Sequence, residues 1–203
     1  MSPEEIIDTL RAHADPLLAG ALERLGAPPG SALGVDLPFL EDLARDLRPN
    51  HTLAVALWER GLRETRLLAI ALADPRALSE EQAQEWVDQA DTTELADYLA
   101  TRLLEKTPVG RRLAPSWSLS SQDMVRRVGF LLMTRLSIDD AGHPDARFPG
   151  YFAPPGNEAP GRCSPLRAAM RFLGRRNRRT AWKAVELARH AQLQFTSQRD
   201  QQD

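Results

Sequence analysis

Apolar residues recur at helical spacing along nearly the whole chain, and no segment alternates between apolar and polar residues as a half-buried strand does. This periodicity predicts an all-α fold. The predicted helices cover residues 3–12, 16–25, 37–47, 52–60, 62–73, 80–90, 92–106, 121–137, 165–173 and 178–193. Short helices joined by short turns favour stacked helix pairs, and pair lengths of about 30 to 45 residues are typical of HEAT-type repeats. We therefore expect residues 1–203 to form a single HEAT-like helical-repeat solenoid.

Two helix starts carry clear capping signals. Residues 2–5, Ser-Pro-Glu-Glu, place a serine at the cap, a proline at the first helical position and a glutamate at the third. Residues 79–82, Ser-Glu-Glu-Gln, form a capping box ahead of an apolar stripe. These signals predict helices that begin at Pro3 and at Glu80.

Residues 139–164 interrupt the helical pattern. They contain five prolines and four glycines, which a regular helix does not accommodate, so we expect a long loop. Loops of this length are usually either functional or disordered. Phe148, Tyr151 and Phe152 favour a loop whose middle packs against the helical body.

The net charge of −2 conceals a strong asymmetry along the chain. Residues 1–100 hold 8 arginines against 19 carboxylates, a net charge of −11, whereas residues 101–203 hold 18 basic residues against 9 carboxylates, a net charge of +9. A protein that presents one face to nucleic acid has this distribution, and so does a solvated dipolar surface. On the first interpretation, the acidic N-terminal helices point away from the DNA.

Other features narrow the class of protein. No apolar run approaches the roughly 18 residues of a membrane span, and the N-terminus is acidic where a signal peptide is basic, so we expect a cytoplasmic protein with no membrane partner. The single cysteine, Cys163, cannot form an intrachain disulfide, and the four histidines lack partners at metal-ligand spacings. We therefore expect no metal and no cofactor. A phosphate-binding glycine loop and a nucleophile elbow are also missing from the sequence.

Asp97 is the first candidate for chemistry. It lies one turn after Thr93 on the helix predicted over 92–106. Residues four apart share a helix face, so the hydroxyl and the carboxylate are expected to point the same way. The alternative interpretation is a solvated or salt-bridged surface carboxylate.

The adjacent Arg126 and Arg127 are the second candidate. They lie on the mostly apolar helix predicted over 121–137. Neighbouring residues diverge by about 100° around a helix, so one of the two must flank the core beside a partner. That partner is either a carboxylate from a neighbouring helix or a phosphate, which fits the guanidinium fork well.

A basic cluster near the end of the chain is the third candidate. Gly174 is expected to end the preceding helix, so the arginines after it lie at a helix junction, with Lys183 further along. This arrangement suits successive phosphates, although a nuclear-localisation tract has the same composition. We call the cluster the arginine knob: Arg175, Arg176, Arg178 and Arg179.

Taken in order, five segments resemble the AlkD-like family of HEAT-repeat DNA alkylation-repair proteins. The segments are ALGVDLPFLEDLARDL (32–47), LAVALWERGLRETRLLAIALADP (53–75), TELAD (93–97), PSWSLSSQDMVRRVGFLLM (115–133) and LRAAMRFLGRRNRRTAWKAVELA (166–188). The succession of an LW segment with an E-x-R turn, an acidic helix and an RR-V helix carries the resemblance, which spans most of residues 30–190.

The resemblance implies a curved solenoid whose basic concave face grips duplex DNA. It also implies a monofunctional glycosylase that releases cationic N3- and N7-alkylpurines without a deep base-flipping pocket. In that family, an Asp stabilises positive charge at the sugar and an Arg holds the DNA backbone, and these roles fall on Asp97 and Arg127. The further DNA contacts expected are Thr93, Arg126, Arg171, Lys183 and the arginine knob.

The chain departs from the family pattern at two aromatic positions. Active members have a tryptophan one turn before the Asp, where this chain has Thr93, and the later cleft tryptophan falls near Met170 or Arg171. Each lost contact with a cationic base costs about 0.5 to 2 kcal/mol. Because some branches bind DNA with little or no glycosylase activity, a catalytically silent binder of DNA structures is the alternative function.

A protein-binding helical scaffold is a second alternative, which the arginine density after residue 100 disfavours. We expect a monomer, because a solenoid with capped ends does not need to oligomerise.

The arginine knob generates the first testable prediction. Reversing all four of its arginines to glutamate should abolish DNA binding and leave the helical circular-dichroism signal intact. If the knob contacts four phosphates, log K of the wild type should fall with log salt at a slope of about −3 to −4. Unchanged affinity in the reversed variant would move the DNA-binding face elsewhere.

Overall fold

The computed structural model describes residues 1–139, and every regular element in this range is helical, as the sequence predicts. The α-helices are Pro3–Ala12 (α1), Pro16–Arg24 (α2), Leu37–Leu47 (α3), His51–Trp58 (α4), Arg63–Leu72 (α5), Glu80–Asp88 (α6), Thr93–Tyr98 (α7), Pro108–Ser118 (α8) and Asp123–Asp139 (α9). Within this range, no helix is both long enough and apolar enough to cross a membrane. The predicted loop after Asp139 and the helices predicted at 165–173 and 178–193 lie outside the described residues.

The hydrophobic pattern did not predict α8. Thr107 caps this helix by accepting the Gly110 amide at 2.8 Å, and Pro108 occupies the first helical position, where a missing N–H costs nothing. Pro115 lies inside the helix, and an interior proline normally argues against one. Trp117, the penultimate residue of α8, is buried, so tertiary packing outweighs the cost of the proline.

One row of helices is joined by tryptophans. Trp58 of α4 and Trp86 of α6 stack with their ring centroids 4.3 Å apart and their planes within 5°. The indole N–H of Trp58 donates to Gln89, and that of Trp117 in α8 donates to Gln84 of α6 at 2.8 Å. All three indoles are buried, and the N–H groups of Trp58 and Trp117 have acceptors, as is usual for packed tryptophans. We call α4, α6 and α8 the tryptophan row.

The second row, α5, α7 and α9, is joined by ion pairs. Glu64 of α5 is fully buried, and its carboxylate accepts the backbone N–H groups of residues 33–35 at 3.0–3.3 Å. Arg63 binds Glu64 at 3.1 Å and forms a two-pronged pair with Glu94 of α7 at 2.6 and 2.7 Å. These charges are therefore partnered inside the protein, which offsets the cost of their burial. We call α5, α7 and α9 the ion-pair row.

Gly129 sets the distance between α8 and α9. A Cβ at this position would overlap the backbone of Trp117 and Ser118, so only glycine lets the two helix backbones approach this closely. By contrast, Gly20 lies inside α2, where a Cβ would meet only the end of the Arg24 side chain at 3.6 Å.

These two glycines give opposite predictions for the free energy of unfolding. Gly129→Ala should destabilise the protein by about 3 kcal/mol or more, because backbone must move to admit the methyl group. Gly20→Ala should stabilise it by about 0.5 to 1 kcal/mol, because alanine loses less conformational entropy in a helix. Urea denaturation measures both. Equal effects at the two positions would contradict the close approach of α8 and α9.

Candidate functional site

Asp97 lies near the end of the short helix α7. Thr92 caps this helix by accepting the Leu95 amide at 3.2 Å, and the buried Leu95 and Ala96 fix its inward face. The Asp97 side chain is 41% exposed, so a ligand can reach its carboxylate.

A π-helical turn, Leu99–Leu103, follows α7 directly and is continued by a 3₁₀ turn, Leu104–Lys106. We call the two turns together the 99–106 segment. Asp97, just before this segment, and Glu105, within it, both form ion pairs with α9. Turns of this kind are frequent at functional sites.

Arg127 of α9 binds Asp97 with two hydrogen bonds. Its Nε donates to Asp97 Oδ1 at 2.5 Å, and its Nη2 donates to Oδ2 at 2.6 Å. The arginine side chain is only 10% exposed, so the prediction that one of the two adjacent arginines flanks the core beside a partner is confirmed. Short bidentate pairs of this type are among the stronger polar contacts in proteins. The two residues singled out separately in the sequence thus meet each other.

Arg126 faces a different part of the structure. Its Nη1 donates to the Ser120 carbonyl at 2.9 Å, and its Nη2 binds the carboxylate of Asp123. The side chain is largely buried and ties the start of α9 to the turn that precedes it. These contacts account for the residue structurally, and its contact with DNA stays a prediction.

The surroundings of Asp97 include Thr93, half-buried one turn earlier on α7. Within residues 1–139 every tryptophan is buried in the tryptophan row, so none of them forms a wall beside Asp97. Tyr98, the next residue, donates its hydroxyl to Glu41 of α3 at 3.4 Å and packs under the Arg102 guanidinium. Burial raises the pKa of the Tyr98 phenol, so the hydroxyl stays protonated and able to donate at neutral pH.

A second carboxylate–guanidinium pair escaped the sequence analysis. Arg135 of α9 binds both oxygens of Glu105, the second at 2.9 Å, and the two side chains are 22% and 20% exposed. Each partner lies eight residues after its counterpart in the Asp97–Arg127 pair. The equal spacing on the two segments was the available signal. Glu105 is half as exposed as Asp97 and is therefore less accessible to a ligand. It provides a matched carboxylate against which the role of Asp97 can be tested.

The remaining predicted DNA contacts lie outside residues 1–139. They are Arg171, Lys183 and the arginine knob, and they stay predictions.

Comparisons with known proteins place this geometry in context. A search of curated proteins found no match. One solved structure superimposes with a TM-score of 0.66 and 20% sequence identity, covering 94% of this chain and 83% of the other. That structure represents "a new family of proteins related to the HEAT-like repeat DNA glycosylases with affinity for branched DNA structures", and the likeness confirms the HEAT-like helical fold. A sequence profile described as DNA alkylation repair enzyme matches residues 6–143. The chain therefore belongs to the DNA alkylation repair enzyme family.

Proposed function

We propose that this protein binds duplex DNA and, at Asp97, releases cationic N3- or N7-alkylpurines by glycosidic bond cleavage. The observation that carries the proposal is the Asp97–Arg127 pair. It joins a partly exposed carboxylate to a guanidinium that is fixed in the helical core. Membership of a DNA alkylation repair family supports alkylated DNA as the substrate in preference to other polyanions.

The reaction asks little of the protein. An N3- or N7-alkylpurine already carries a positive charge, so when the bond from C1′ to the base breaks, its electron pair neutralises the departing base. No acid is needed. The sugar acquires the positive charge, which a nearby carboxylate stabilises, and water then adds to C1′ and loses a proton to solvent. Asp97 is the group that supplies the negative charge in this proposal.

Because of Arg127, the effective negative charge of the Asp97 carboxylate depends on whether DNA is bound. In the protein alone, the bidentate pair neutralises much of the carboxylate's charge. A phosphate competes for the same guanidinium, because its oxygens accept the same forked hydrogen bonds. A DNA backbone that shares Arg127 therefore leaves Asp97 more negative at the moment when a sugar lies beside it.

The surroundings of Asp97 limit the rate. Thr93 provides no π face for a cationic base, and the missing contact is worth about 0.5 to 2 kcal/mol. Neutral lesions such as hypoxanthine should not be released, since their departure requires an acid. We therefore expect slow release confined to cationic bases.

A binder of branched DNA without glycosylase activity is the second candidate function. The closed Asp97–Arg127 pair favours it, because a carboxylate that stays neutralised contributes structure and no catalysis. The structural neighbour is a protein with affinity for branched DNA structures, which supports the same candidate. In this case, Asp97 only joins α7 to α9, as Glu105 joins the 99–106 segment to α9.

Removing the charge of Asp97 separates the two candidates. Asp97→Asn preserves the shape of the side chain, so it should eliminate release of N7-methylguanine from methylated duplex DNA and preserve DNA affinity. Glu105→Gln is the matched control: it removes a charge from the parallel pair and should leave excision at the wild-type rate. Excised base is measured by chromatography under single-turnover conditions.

Three outcomes of this experiment are informative. If wild type and Asp97→Asn both release no more base than buffer, the glycosylase proposal fails. Tight binding of a four-way DNA junction by the same preparation would then support the second candidate. Equal losses in Asp97→Asn and Glu105→Gln would show that the pairs matter only through stability.

Restoring the aromatic group tests what limits the rate. Thr93→Trp should increase N7-methylguanine release about 2- to 30-fold, the equivalent of one cation–π contact of 0.5 to 2 kcal/mol. Thr93→Leu, which is bulky without a strong π face, should not. An equal increase in both variants would assign the effect to exclusion of water rather than to the aromatic face.

A further inference from the structure

A groove of about 810 Å³ lies against α3, the turn between α3 and α4, the end of α5 and the 99–106 segment. Four cations line it, against two carboxylates, Glu41 and Asp74. The cations are Arg45, Arg48, Arg102 and Lys106. The groove is thus basic, and two of its cations, Arg45 and Arg48, lie within residues 1–100, which carry a net charge of −11.

Two of the four cations are available to an incoming ligand. Arg102 binds Glu41 at 2.9 Å, and Arg45 binds the neighbouring Asp42 at 2.9 Å. Within the described part of the chain, Arg48 and Lys106 form no ion pair, and both are exposed. Two positive charges in one groove therefore lack local compensation, which favours an anionic partner.

The backbone at Arg48 is strained. Its φ of 59° and ψ of 160° lie in a region that is essentially reserved for glycine, and it is the sole non-glycine with a positive φ among residues 1–139. Rigid neighbours maintain this conformation. The next residue is Pro49. The backbone N–H of Asn50 donates a hydrogen bond to the Leu72 carbonyl at 2.9 Å, and the Asn50 side chain caps α4. Strain that is held in place beside a charged groove points to a binding role for the turn.

Asp97 and this groove share one stretch of backbone. Arg102 and Lys106 lie on the 99–106 segment, which begins two residues after Asp97. Tyr98 connects them further, since its hydroxyl binds Glu41 and its ring lies under Arg102. Asp97 and Arg127 do not line the groove, so a single ligand that contacts both places must be a long polyanion and not a small anion.

We infer that the groove is a second contact site for the phosphodiester backbone of DNA, with Arg48 and Lys106 binding phosphates. This inference rests on the proposed DNA-binding function and adds a contact that joins Arg48, from the acidic half of the chain, to Lys106, from the basic half. The acidic helices within residues 3–47 were expected to point away from DNA, and the turn that carries Arg48 follows them directly.

The test uses the full chain and a 25-base-pair duplex, followed by fluorescence anisotropy across a salt series. The Arg48→Gly/Lys106→Gln variant removes both charges. Glycine adopts the Arg48 backbone conformation without strain, so this variant should fold at least as well as the wild type. If two phosphate contacts are lost, the slope of log K against log salt becomes shallower by about 1.8. Between 50 and 200 mM salt, the wild type should then lose about 12-fold more affinity than the variant.

The control variant, Arg11→Gln/Arg24→Gln, makes the same change in net charge on α1 and α2, outside the groove. Its salt slope should match the wild type. An equal change in both variants, or none in the groove variant, would overturn the inference and leave DNA binding intact. A wild type that fails to bind the duplex at any salt concentration would instead overturn the proposed function.

Discussion

A buried charge must be paired, and in this protein that constraint fixes the positions of the helices that carry the candidate site. Glu64 has no exposure to solvent and is held by three backbone N–H groups and by Arg63, which reaches on to Glu94. Asp97 and Arg127 continue the series from α7 to α9. Because the desolvation of an ion is repaid only by good geometry, these pairs favour helix placements that keep the largely buried Arg63 and Arg127 beside their carboxylates. Burial of apolar side chains stabilises the packing of the two rows, and the ion pairs favour one relative position of the helices within the ion-pair row.

The candidate site uses one of these pairs in a more exposed form. Glu105 and Arg135 are both about one-fifth exposed and act as a fastening between the 99–106 segment and α9. Asp97 is twice as exposed, while its arginine remains anchored in the core. A carboxylate held by a rigid partner and open on one side is preorganised, so no energy is needed to orient it when a substrate arrives. The same arginine also neutralises part of the negative charge of Asp97. The proposed chemistry therefore depends on a DNA phosphate that binds the Arg127 guanidinium and shares its hydrogen bonds.

Local signals in the sequence predicted most of the helices but not which side chains pair between them. The serine caps at Ser2 and Ser79 form the predicted capping boxes, because capping involves residues only three apart. The interior Pro115 concealed α8, since the packing that stabilises this helix comes from α9. The same limitation applies to the site: Asp97 and Arg127 were identified individually, whereas their contact spans 30 residues and depends on how two helices stack. The groove is further still from prediction, because Arg45 and Arg48 come from the acidic half of the chain, whereas Arg102 and Lys106 come from the 99–106 segment.

In the proposed function, Asp97 and Arg127 act as one unit on DNA. A double-mutant cycle tests this claim directly, with single-turnover release of N7-methylguanine measured for wild type, Asp97→Asn, Arg127→Gln and the double variant. Residues that act as a unit show strongly non-additive losses, so the account predicts that the double variant is no slower than the slower single variant. Losses that multiply, with each substitution slowing the reaction by the same factor in either background, would contradict the account.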